Sequence, residues 1–249
     1  MSHGVALVMP MAGRGTRFHR AGVDVPKPLV ELWGKPLFWW ATQSVIRAVE
    51  VRELVFVVLA EHIQRYAIDK VIKNVYPSAR IVALPDVTTG AAQTAALGVA
   101  KLQTGGPVAL NDCDHAFRAH DLSSIVEQLQ QGAEGALLGF RAHTPAYSYV
   151  RFDGNGRVVG TVEKQVVSDF AVAGCYLFAD PQRFLNCFET YRKDCPYDEL
   201  FVSGVYNEIL RAGGKVLFHE LAAHVPFGTP EEHQRVERID LSFLELDGR

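Results

Sequence analysis

Residues 5–18 read VALVMPMAGRGTRF, and residues 26–28 read PKP. The apolar run Val5–Met11 predicts a first, buried β-strand, because strands covered on both faces are almost continuously apolar. The glycine-rich turn that follows exposes backbone N–H groups, which can bind phosphate oxygens. The turn also carries two arginines and leads to a lysine. This stretch therefore predicts an α/β fold with a polyphosphate-binding loop at the end of its first strand.

The sequence pattern of this loop differs from the two best-known nucleotide-binding motifs. A dinucleotide fingerprint needs a third glycine where Phe18 stands, and it opens directly into a helix. Here Gly22, Pro26 and Pro28 prevent a helix from continuing. The P-loop pattern, G-x-x-x-x-G-K-S/T, does not occur. We therefore expect a long, proline-stiffened phosphate loop of another kind.

Composition narrows the class of protein. The chain has 249 residues, of which 48% are hydrophobic and 21% charged, and its net charge is −3. This balance predicts no broad surface for nucleic acid or for an anionic membrane. The four cysteines form no C-x-x-C pair, so neither a zinc site nor a disulfide framework is expected. Without a signal-peptide pattern or an apolar stretch of about 20 residues, a cytoplasmic protein with no membrane partner is expected.

Strands and helices alternate along the first half of the chain. The segment ELVFVVLA at residues 53–60 is nearly all apolar, as in a parallel strand covered on both faces. In the second half, Tyr147–Phe152 and Arg157–Lys164 flank the turn sequence DGNG, which predicts a β-hairpin. We therefore expect one domain over residues 1–249, with a Rossmann-like, mixed and mostly parallel sheet, helices on both faces and a β-hairpin insertion. The predicted helices include Pro36–Val49, Glu61–Val75, Thr89–Leu102 and Tyr197–Ala212.

A predicted buried strand ends in Asn111-Asp112-Cys113-Asp114. Two carboxylates at positions i and i+2 after a strand suit a hard divalent cation such as Mg²⁺ or Mn²⁺. We expect Asp114 to be the metal ligand and Asp112 to have a more structural position. His115, the next residue, is expected at the surface or in a position that supports the metal site, and not as a metal ligand.

A second turn of small residues, Thr88–Ala92, is predicted to open a helix that Thr88 or Thr89 caps. Gly90 and the alanines would let a flat base or a ribose approach the backbone. A simple capped helix that packs closely on the sheet explains these residues equally well. Ligands of open α/β sheets bind at the carboxyl ends of the strands, where this turn, the 12–28 loop and the Asp112–Asp114 turn should converge.

Two further groups of polar residues have less distinctive patterns. Glu163 and Lys164 end the second strand of the hairpin, where one of them faces the cleft or both form a solvated edge. Ser203, Tyr206 and Asn207 lie at helical spacing, and they line a polar pocket or face solvent.

Three segments, MPMAGRGTRF at 9–18, PKPL at 26–29 and GKPL at 34–37, together resemble the sugar-phosphate nucleotidyltransferases. More narrowly, they resemble the capsule-biosynthesis branch, whose members open with P-M-A-G-x-G-S/T-R-F. The resemblance extends over nearly the whole chain and implies a GT-A-type fold. Its less specific segments are residues 89–92, 111–115, 163–164, 201–207 and 227–231.

The resemblance implies that a phosphorylated acceptor attacks the α-phosphorus of a nucleoside triphosphate and releases pyrophosphate. The favoured triphosphate is CTP, the acceptor is a sugar phosphate or another small polar phosphate, and self-association of the chain is left open. The implied catalytic residues are Arg17, Lys27 and Lys164. Arg17 and the amides of residues 13–16 would hold the β- and γ-phosphates, and Lys27 would bridge the α-phosphate and the incoming phosphate. The implied nucleotide-binding residues are Met11, Ala12, Gly13, Arg14, Gly15, Thr16, Thr89, Gly90, Ala91 and Asp112. The implied acceptor-binding residues are Ser148, Glu163, Gly174, Ser203 and Tyr206.

One segment departs from the family pattern. Many relatives carry a second metal-binding aspartate just before the G-T-P segment, where this chain has His224-Val225-Pro226-Phe227. Either His224 replaces it beside Asp114, or one carboxylate suffices together with phosphate oxygens and water, or catalysis is impaired. We favour the second of these, because Mg²⁺ usually keeps several waters.

Two other functions stay open. A glycosyltransferase of the related nucleotide-sugar-binding fold would use Asp112-Cys113-Asp114 as its D-x-D motif, but it would not need the 12–28 loop. A non-catalytic nucleotide-binding regulatory module would explain the missing aspartate, although Arg17, Lys27, Asp114 and Lys164 are all present.

Overall fold

The computed structural model of the chain describes residues 4–239. Its strands are β1 (Val5–Pro10), β2 (Glu31–Leu32), β3 (Lys35–Pro36), β4 (Val51–Leu59), β5 (Arg80–Leu84), β6 (Val108–Asn111), β7 (His115–Arg118), β8 (Gly135–Arg141), β9 (Ser148–Phe152), β10 (Val158–Glu163), β11 (Phe170–Phe178), β12 (Val216–Glu220) and β13 (Ala223–Pro226). Its helices are α1 (Thr16–Arg20), α2 (Leu37–Ile46), α3 (Ala60–Tyr66), α4 (Ile68–Val75), α5 (Ala91–Val99), α6 (Leu122–Gln130), α7 (Pro181–Tyr191), α8 (Val202–Arg211) and α9 (Pro230–Val236). A 3₁₀ turn covers Lys27–Leu29.

A mixed sheet forms the centre of the molecule, with the strand order β10-β9-β11-β6-β1-β4-β5. The strands β6, β1, β4 and β5 are parallel to one another, and Val8 of β1 lies beside Val55 and Leu110. β11 runs antiparallel to β6, and β8 and β12 continue the sheet from it. The strands β9 and β10 form the antiparallel hairpin that the sequence predicts. The predicted α/β class and mixed sheet are therefore confirmed.

Alternate residues of β1 face two different apolar layers. Ala6 and Val8 pack in a cluster with α5, α7 and α8, whereas Leu7 and Met9 pack in a second cluster with α2, α4 and α6. Because both faces of the sheet are covered, its strands are apolar on both sides, which explains the continuous hydrophobic runs in the sequence. The prediction of helices on both faces is confirmed.

The sequence analysis did not predict two small two-stranded ribbons. β2 pairs with β3, and β7 pairs with β13, each antiparallel and outside the main sheet. A third apolar cluster lies beneath them and includes Phe18, Trp40 and Phe227. This cluster attaches the phosphate loop to the later part of the chain.

Three predicted helices have different bounds in the structure. The predicted helix Glu61–Val75 is two helices, because Ala67 adopts a left-handed conformation with a φ of 50°. The predicted helix Tyr197–Ala212 begins at Val202, and the helix after the Thr88–Ala92 turn begins at Ala91. No side chain caps that last helix, so the predicted threonine cap is wrong. Within residues 4–239, no helix has the length and apolar character needed to cross a lipid bilayer.

Candidate active site

Two adjoining cavities lie at the carboxyl ends of β1 and β6. The first has a volume of about 290 Å³ and lies between the glycine-rich loop and the turn before α5. The second has a volume of about 510 Å³ and lies between β7, the β9–β10 hairpin and β13. The three segments expected to converge at this edge of the sheet therefore do so.

The first cavity contains most of the residues that the resemblance assigns to the nucleotide. The loop closes tightly, since Gly15 has a φ of 61° and a Cβ there would lie 3.0 Å from the Cβ of Lys27. The predicted residues that line this cavity are Met11, Ala12, Gly13, Gly15, Gly90, Ala91 and Asp112.

Three side chains assigned to the nucleotide do not line the first cavity. Arg14 is exposed and forms an ion pair with Asp86, at 2.9 Å. Thr16 is the first residue of α1 and faces solvent. Thr89 hydrogen-bonds to the first turn of α5, and Thr88 lines the cavity in its place. The side chains of these three residues are therefore not brought to the cavity, and their assignment to the nucleotide stays a prediction.

Lys27 and Asp114 form an ion pair where the two cavities approach each other, with 2.8 Å between Nζ and Oδ2. Burial acts to lower the pKa of Lys27, but the charge and hydrogen bond of Asp114, together with the nearby Cys113 and Asp112, raise the pKa overall. Burial acts to raise the pKa of Asp114, but the charge and hydrogen bond of Lys27 lower it to about 2. Both groups are therefore charged at neutral pH.

Asp112 is a second carboxylate beside this pair. Its backbone N–H donates to the carbonyl oxygen of Gly174, at 2.9 Å, where the pairing of β11 is irregular. Burial, followed by the charge of Asp114, raises the pKa of Asp112 to about 7. A divalent cation would compensate this repulsion, and carboxylate oxygens are the ligands that Mg²⁺ prefers. The residues present therefore fit such an ion.

The protein ligands available to a cation are few. Within residues 4–239, no group of three or more histidine, cysteine, aspartate and glutamate side chains is arranged to hold a metal. The phosphate oxygens of a bound substrate, and water, would have to complete the coordination of Mg²⁺.

His224 lines the second cavity, but its ring stacks on Phe140 with 3.9 Å between ring centroids. Burial lowers its pKa well below the usual value, so the ring is neutral. Neither ring nitrogen has a hydrogen-bond partner among the described residues. An imidazole lone pair is thus available, although Mg²⁺ prefers oxygen ligands.

Of the two positions expected for His115, the structure excludes the surface and agrees with a supporting position beside the site. It is 3% exposed, and its Nε2 lies 3.1 Å from Oδ1 of Asn111. Burial lowers its pKa to about 4, so it is neutral near pH 7. The ring is buried because His115 lies in β7, an unpredicted strand, where it pairs with Pro226 of β13.

The second cavity contains Arg17, Lys164 and most of the residues assigned to the acceptor. Lys164 has a φ of 53°, and its Nζ lies 5.3 Å from the centroid of the Phe201 ring. The predicted acceptor residues that line this cavity are Ser148, Glu163 and Gly174.

Glu163 is held by two hydroxyl groups. Ser148 Oγ and Ser203 Oγ both donate to its Oε1. Burial raises the pKa of Glu163, while these two hydrogen bonds act to lower it. Ser203 is 1% exposed and does not line the cavity, so it supports Glu163 rather than contacting the acceptor.

Tyr206 is wrongly placed in the predicted acceptor site. The residue is 0% exposed, and its hydroxyl lies 3.0 and 2.9 Å from the carbonyl oxygens of Ala136 and Leu177. It is therefore part of the core between α8 and the sheet. Its helical spacing from Ser203 is real, but the two side chains have different surroundings.

Glu199 and Phe201 line the second cavity from the segment before α8, although the sequence did not predict them as site residues. Glu199 also lines the first cavity. The available signal was weak, because the segment was predicted to be helical. In the structure Leu200 instead pairs with the turn before α5, through hydrogen bonds to Thr89 and Ala92.

This arrangement, a glycine-rich loop and a lysine–aspartate pair between two cavities, agrees with a known family. The profile of the family described as "Nucleotidyl transferase" matches residues 5–223. The chain belongs to this family. A glucose-1-phosphate thymidylyltransferase of Mycolicibacterium smegmatis is 27% identical to it over 172 residues, which are 67% of the chain. The chain spans only 58% of the length of that relative.

Solved structures of other proteins share the fold. A nucleoside-diphosphate-sugar pyrophosphorylase from Vibrio cholerae RC9 superposes with a TM-score of 0.81 and 24% identity, over 94% of this chain and 100% of its own. An inositol-1-phosphate CTP transferase from T. maritima superposes with a TM-score of 0.74 and 16% identity, over 98% and 96%. At these identities the likeness establishes the fold alone.

Proposed function

We propose that this member of the nucleotidyl transferase family moves a nucleoside monophosphate from a nucleoside triphosphate to a small phosphorylated acceptor. The observation that carries the proposal is the Lys27–Asp114 pair, which lies at the junction of a nucleotide-sized cavity and a second cavity bearing Arg17 and Lys164. A triphosphate in the first cavity would present its α-phosphorus at this junction. A phosphate on the acceptor would approach it from the second cavity.

In the proposed reaction, an acceptor phosphate oxygen forms a bond to the α-phosphorus, and the bond from that phosphorus to the β-phosphate oxygen breaks. Pyrophosphate carries away the electron pair, so no residue needs to form a covalent bond. The protein must position two anions and neutralise their charge. The amides of residues 13–15 and Lys27 would bind the triphosphate. Arg17, expected on the β- and γ-phosphates, lines the second cavity and not the first, so we propose that it binds the acceptor phosphate together with Lys164.

We also propose that the enzyme requires Mg²⁺ or Mn²⁺. Asp114, and Asp112 once ionised, would hold the ion, which would neutralise phosphate charge when bound. Lys27 then keeps Asp114 ionised and available, because it lowers the pKa of that carboxyl group.

The substrates are a finer part of the proposal. We propose a sugar phosphate as acceptor, since the relative from M. smegmatis is named a glucose-1-phosphate thymidylyltransferase. We propose CTP as the nucleotide. CTP is also the nucleotide in the name of the T. maritima structure. The opening motif further supports a role in capsule or surface polysaccharide synthesis.

The test is the release of pyrophosphate by the purified full-length chain from each of the four ribonucleoside triphosphates and dTTP, with a panel of sugar, amino-sugar and polyol phosphates. We expect release to require one triphosphate, one acceptor and Mg²⁺, and to stop when EDTA is added. The Lys27→Met variant should lose at least about 100-fold in kcat/KM, because a charged group at the reacting phosphate is removed. Lys193→Met, at an exposed lysine that lines neither cavity, is the matched control.

The same assay decides between the proposal and its competitors. If a nucleotide sugar is consumed and no triphosphate yields pyrophosphate, the glycosyltransferase function is correct. Binding of triphosphate without turnover on any acceptor would support a regulatory module.

A further inference from the structure

Three residues line both cavities: Asp112, Asp114 and Glu199. All three carry carboxylates. Asp114 is paired with Lys27, and Asp112 lies next to it on the same turn. Glu199 comes from a different part of the chain and has no place in the reaction described above.

Backbone pairing fixes the position of Glu199. The neighbouring Leu200 donates its N–H to the carbonyl of Thr89, at 3.0 Å, and accepts from the N–H of Ala92, at 2.9 Å. The Glu199 side chain lies across Gly90, because a Cβ built on that glycine would be 2.9 Å from Cγ of Glu199. The Glu199 side chain is thus held against the turn on which we expect the base to lie.

The Glu199 side chain is exposed, and its carboxylate is open to a ligand in either cavity. Among residues 4–239, no side chain forms an ion pair or a hydrogen bond with it. Its charge reaches both cavities: after burial and nearer charges, it adds to the raised pKa of Asp112 and of Glu163. An ionised carboxylate only accepts hydrogen bonds, and it repels phosphate. A ligand group beside Glu199 must therefore be a hydrogen-bond donor.

The order of groups in a nucleotide identifies this donor. The triphosphate end of the first cavity is formed by Gly13, Gly15 and Lys27, and the opposite end by Thr88 and Gly90. The ribose joins the base to the α-phosphate, so it must lie between these ends. Glu199 lies against Gly90 and, like Asp112, also borders the second cavity, so its carboxylate can reach this intermediate position. The donors that a ribose offers there are its 2′- and 3′-hydroxyl groups.

We propose that Glu199 is a specificity-determining residue that accepts hydrogen bonds from the ribose hydroxyls and makes the enzyme prefer ribonucleotides to 2′-deoxyribonucleotides. This inference rests on the proposed function, since it assumes a nucleotide in the first cavity. It predicts which sugar the bound nucleotide carries, ribose rather than 2′-deoxyribose, whereas other residues would recognise the base.

The experiment compares kcat/KM for the best ribonucleoside triphosphate with that for its 2′-deoxy counterpart, such as CTP with dCTP. Hydrogen bonds to charged groups predict that the ribo/deoxy ratio of the wild type falls by roughly 10- to 100-fold in Glu199→Ala. Glu199→Gln keeps the shape and one acceptor oxygen, so its ratio should lie between the two. Asp198→Asn removes the same charge from an exposed neighbour that lines neither cavity, and its ratio should equal that of the wild type.

Titration calorimetry with the same pair of nucleotides gives the ratio of Kd values without turnover, and melting temperatures report whether each variant is folded. A wild-type ratio near one, or the same ratio in wild type and Glu199→Ala, would overturn the inference. So would a loss confined to the KM of the acceptor, which would place Glu199 on the acceptor. Failure of the proposed function looks different: nucleotides bind with a ribo/deoxy ratio, but no acceptor releases pyrophosphate.

Discussion

At the scale of single residues, the ionisation of Asp112 lowers the stability of the folded protein. Its pKa is about 7 in the fold, raised first by burial and then by Asp114, against about 3.9 in an unfolded chain. The folded state therefore holds this proton more tightly than the unfolded state. By linkage, the contribution of Asp112 to stability is fully present below about pH 4 and is lost as pH rises towards 7.

We expect Asp112→Asn to stabilise the protein at pH 8 and to change its stability little at pH 4.5. At pH 8 the variant removes a buried negative charge beside Asp114, whereas at pH 4.5 it replaces a carboxyl group that is already neutral in the fold. Thermal unfolding in EDTA at the two pH values measures the difference. Equal shifts at both pH values would mean that Asp112 does not titrate between them. Activity should fall at every pH, because a carboxylate of the site is lost.

Tyr206 gives the opposite case of a polar residue without a functional role. Removing its hydroxyl in Tyr206→Phe deletes a buried hydrogen bond worth about 1 kcal/mol, which corresponds to a fall in Tm of roughly 2–4 °C for a chain of this size. We expect kcat and the acceptor KM to be unchanged. A raised acceptor KM with an unchanged Tm would contradict this prediction and would mean that Tyr206 contributes to the acceptor site.

At the scale of elements, the segment 192–201 between α7 and α8 joins the two cavities. Gly90 permits its approach on the nucleotide side, since a Cβ there would lie 2.5 Å from both N and O of Leu200. Neither backbone atom can move without breaking the pairing with Thr89 and Ala92. We expect Gly90→Ala to cost about 1–3 kcal/mol, as overpacking does, and to raise the nucleotide KM. Gly105→Ala, where the added methyl meets open space, is the control for both measurements.

On the acceptor side, the same segment supplies Phe201 beneath the ammonium group of Lys164, at 5.3 Å from the ring centroid. A cation–π contact of about 0.5–1 kcal/mol predicts that Phe201→Leu lowers kcat/KM for the acceptor roughly two- to fivefold. Phe201→Tyr keeps the aromatic face and should restore the wild-type value. The nucleotide Kd, measured by calorimetry, should not change in either variant. A loss that Tyr does not restore would argue against the aromatic contact.

Local patterns explain which elements could be predicted from the sequence. β1 and the β9–β10 hairpin have continuous or alternating apolar residues and strong turn sequences, so they were identified correctly. β7 and β13 have four residues each and pair with one another across a long stretch of chain, which no local pattern reports. The α3–α4 break occurs at Ala67, a good helix former in a left-handed conformation, so tertiary packing decided it.

At the scale of the whole molecule, the site could be predicted only in part, because its walls come from loops that are far apart in sequence. The phosphate loop and the Asp112–Asp114 turn carry their chemistry in short motifs. Glu199 and Phe201 acquire a position only when Leu200 pairs with the turn before α5, and the burial of Tyr206 depends on how α8 packs against the sheet. Long-range packing therefore decides which polar residues reach the cavities.

A ligand that connects these distant segments should stabilise the entire fold. Under the proposed function, CTP with Mg²⁺ at 100 times its Kd would add about 2.7 kcal/mol, or roughly 5–10 °C in Tm, since it binds only the folded state. We expect Lys27→Met to abolish most of this shift while Lys193→Met retains it, both measured by differential scanning fluorimetry. An acceptor phosphate should add a further shift in the wild type, because it fills the second cavity. If the triphosphate shifts the Tm of Lys27→Met as much as that of the wild type, then Lys27 does not bind the phosphates and the proposed division of the two cavities is wrong.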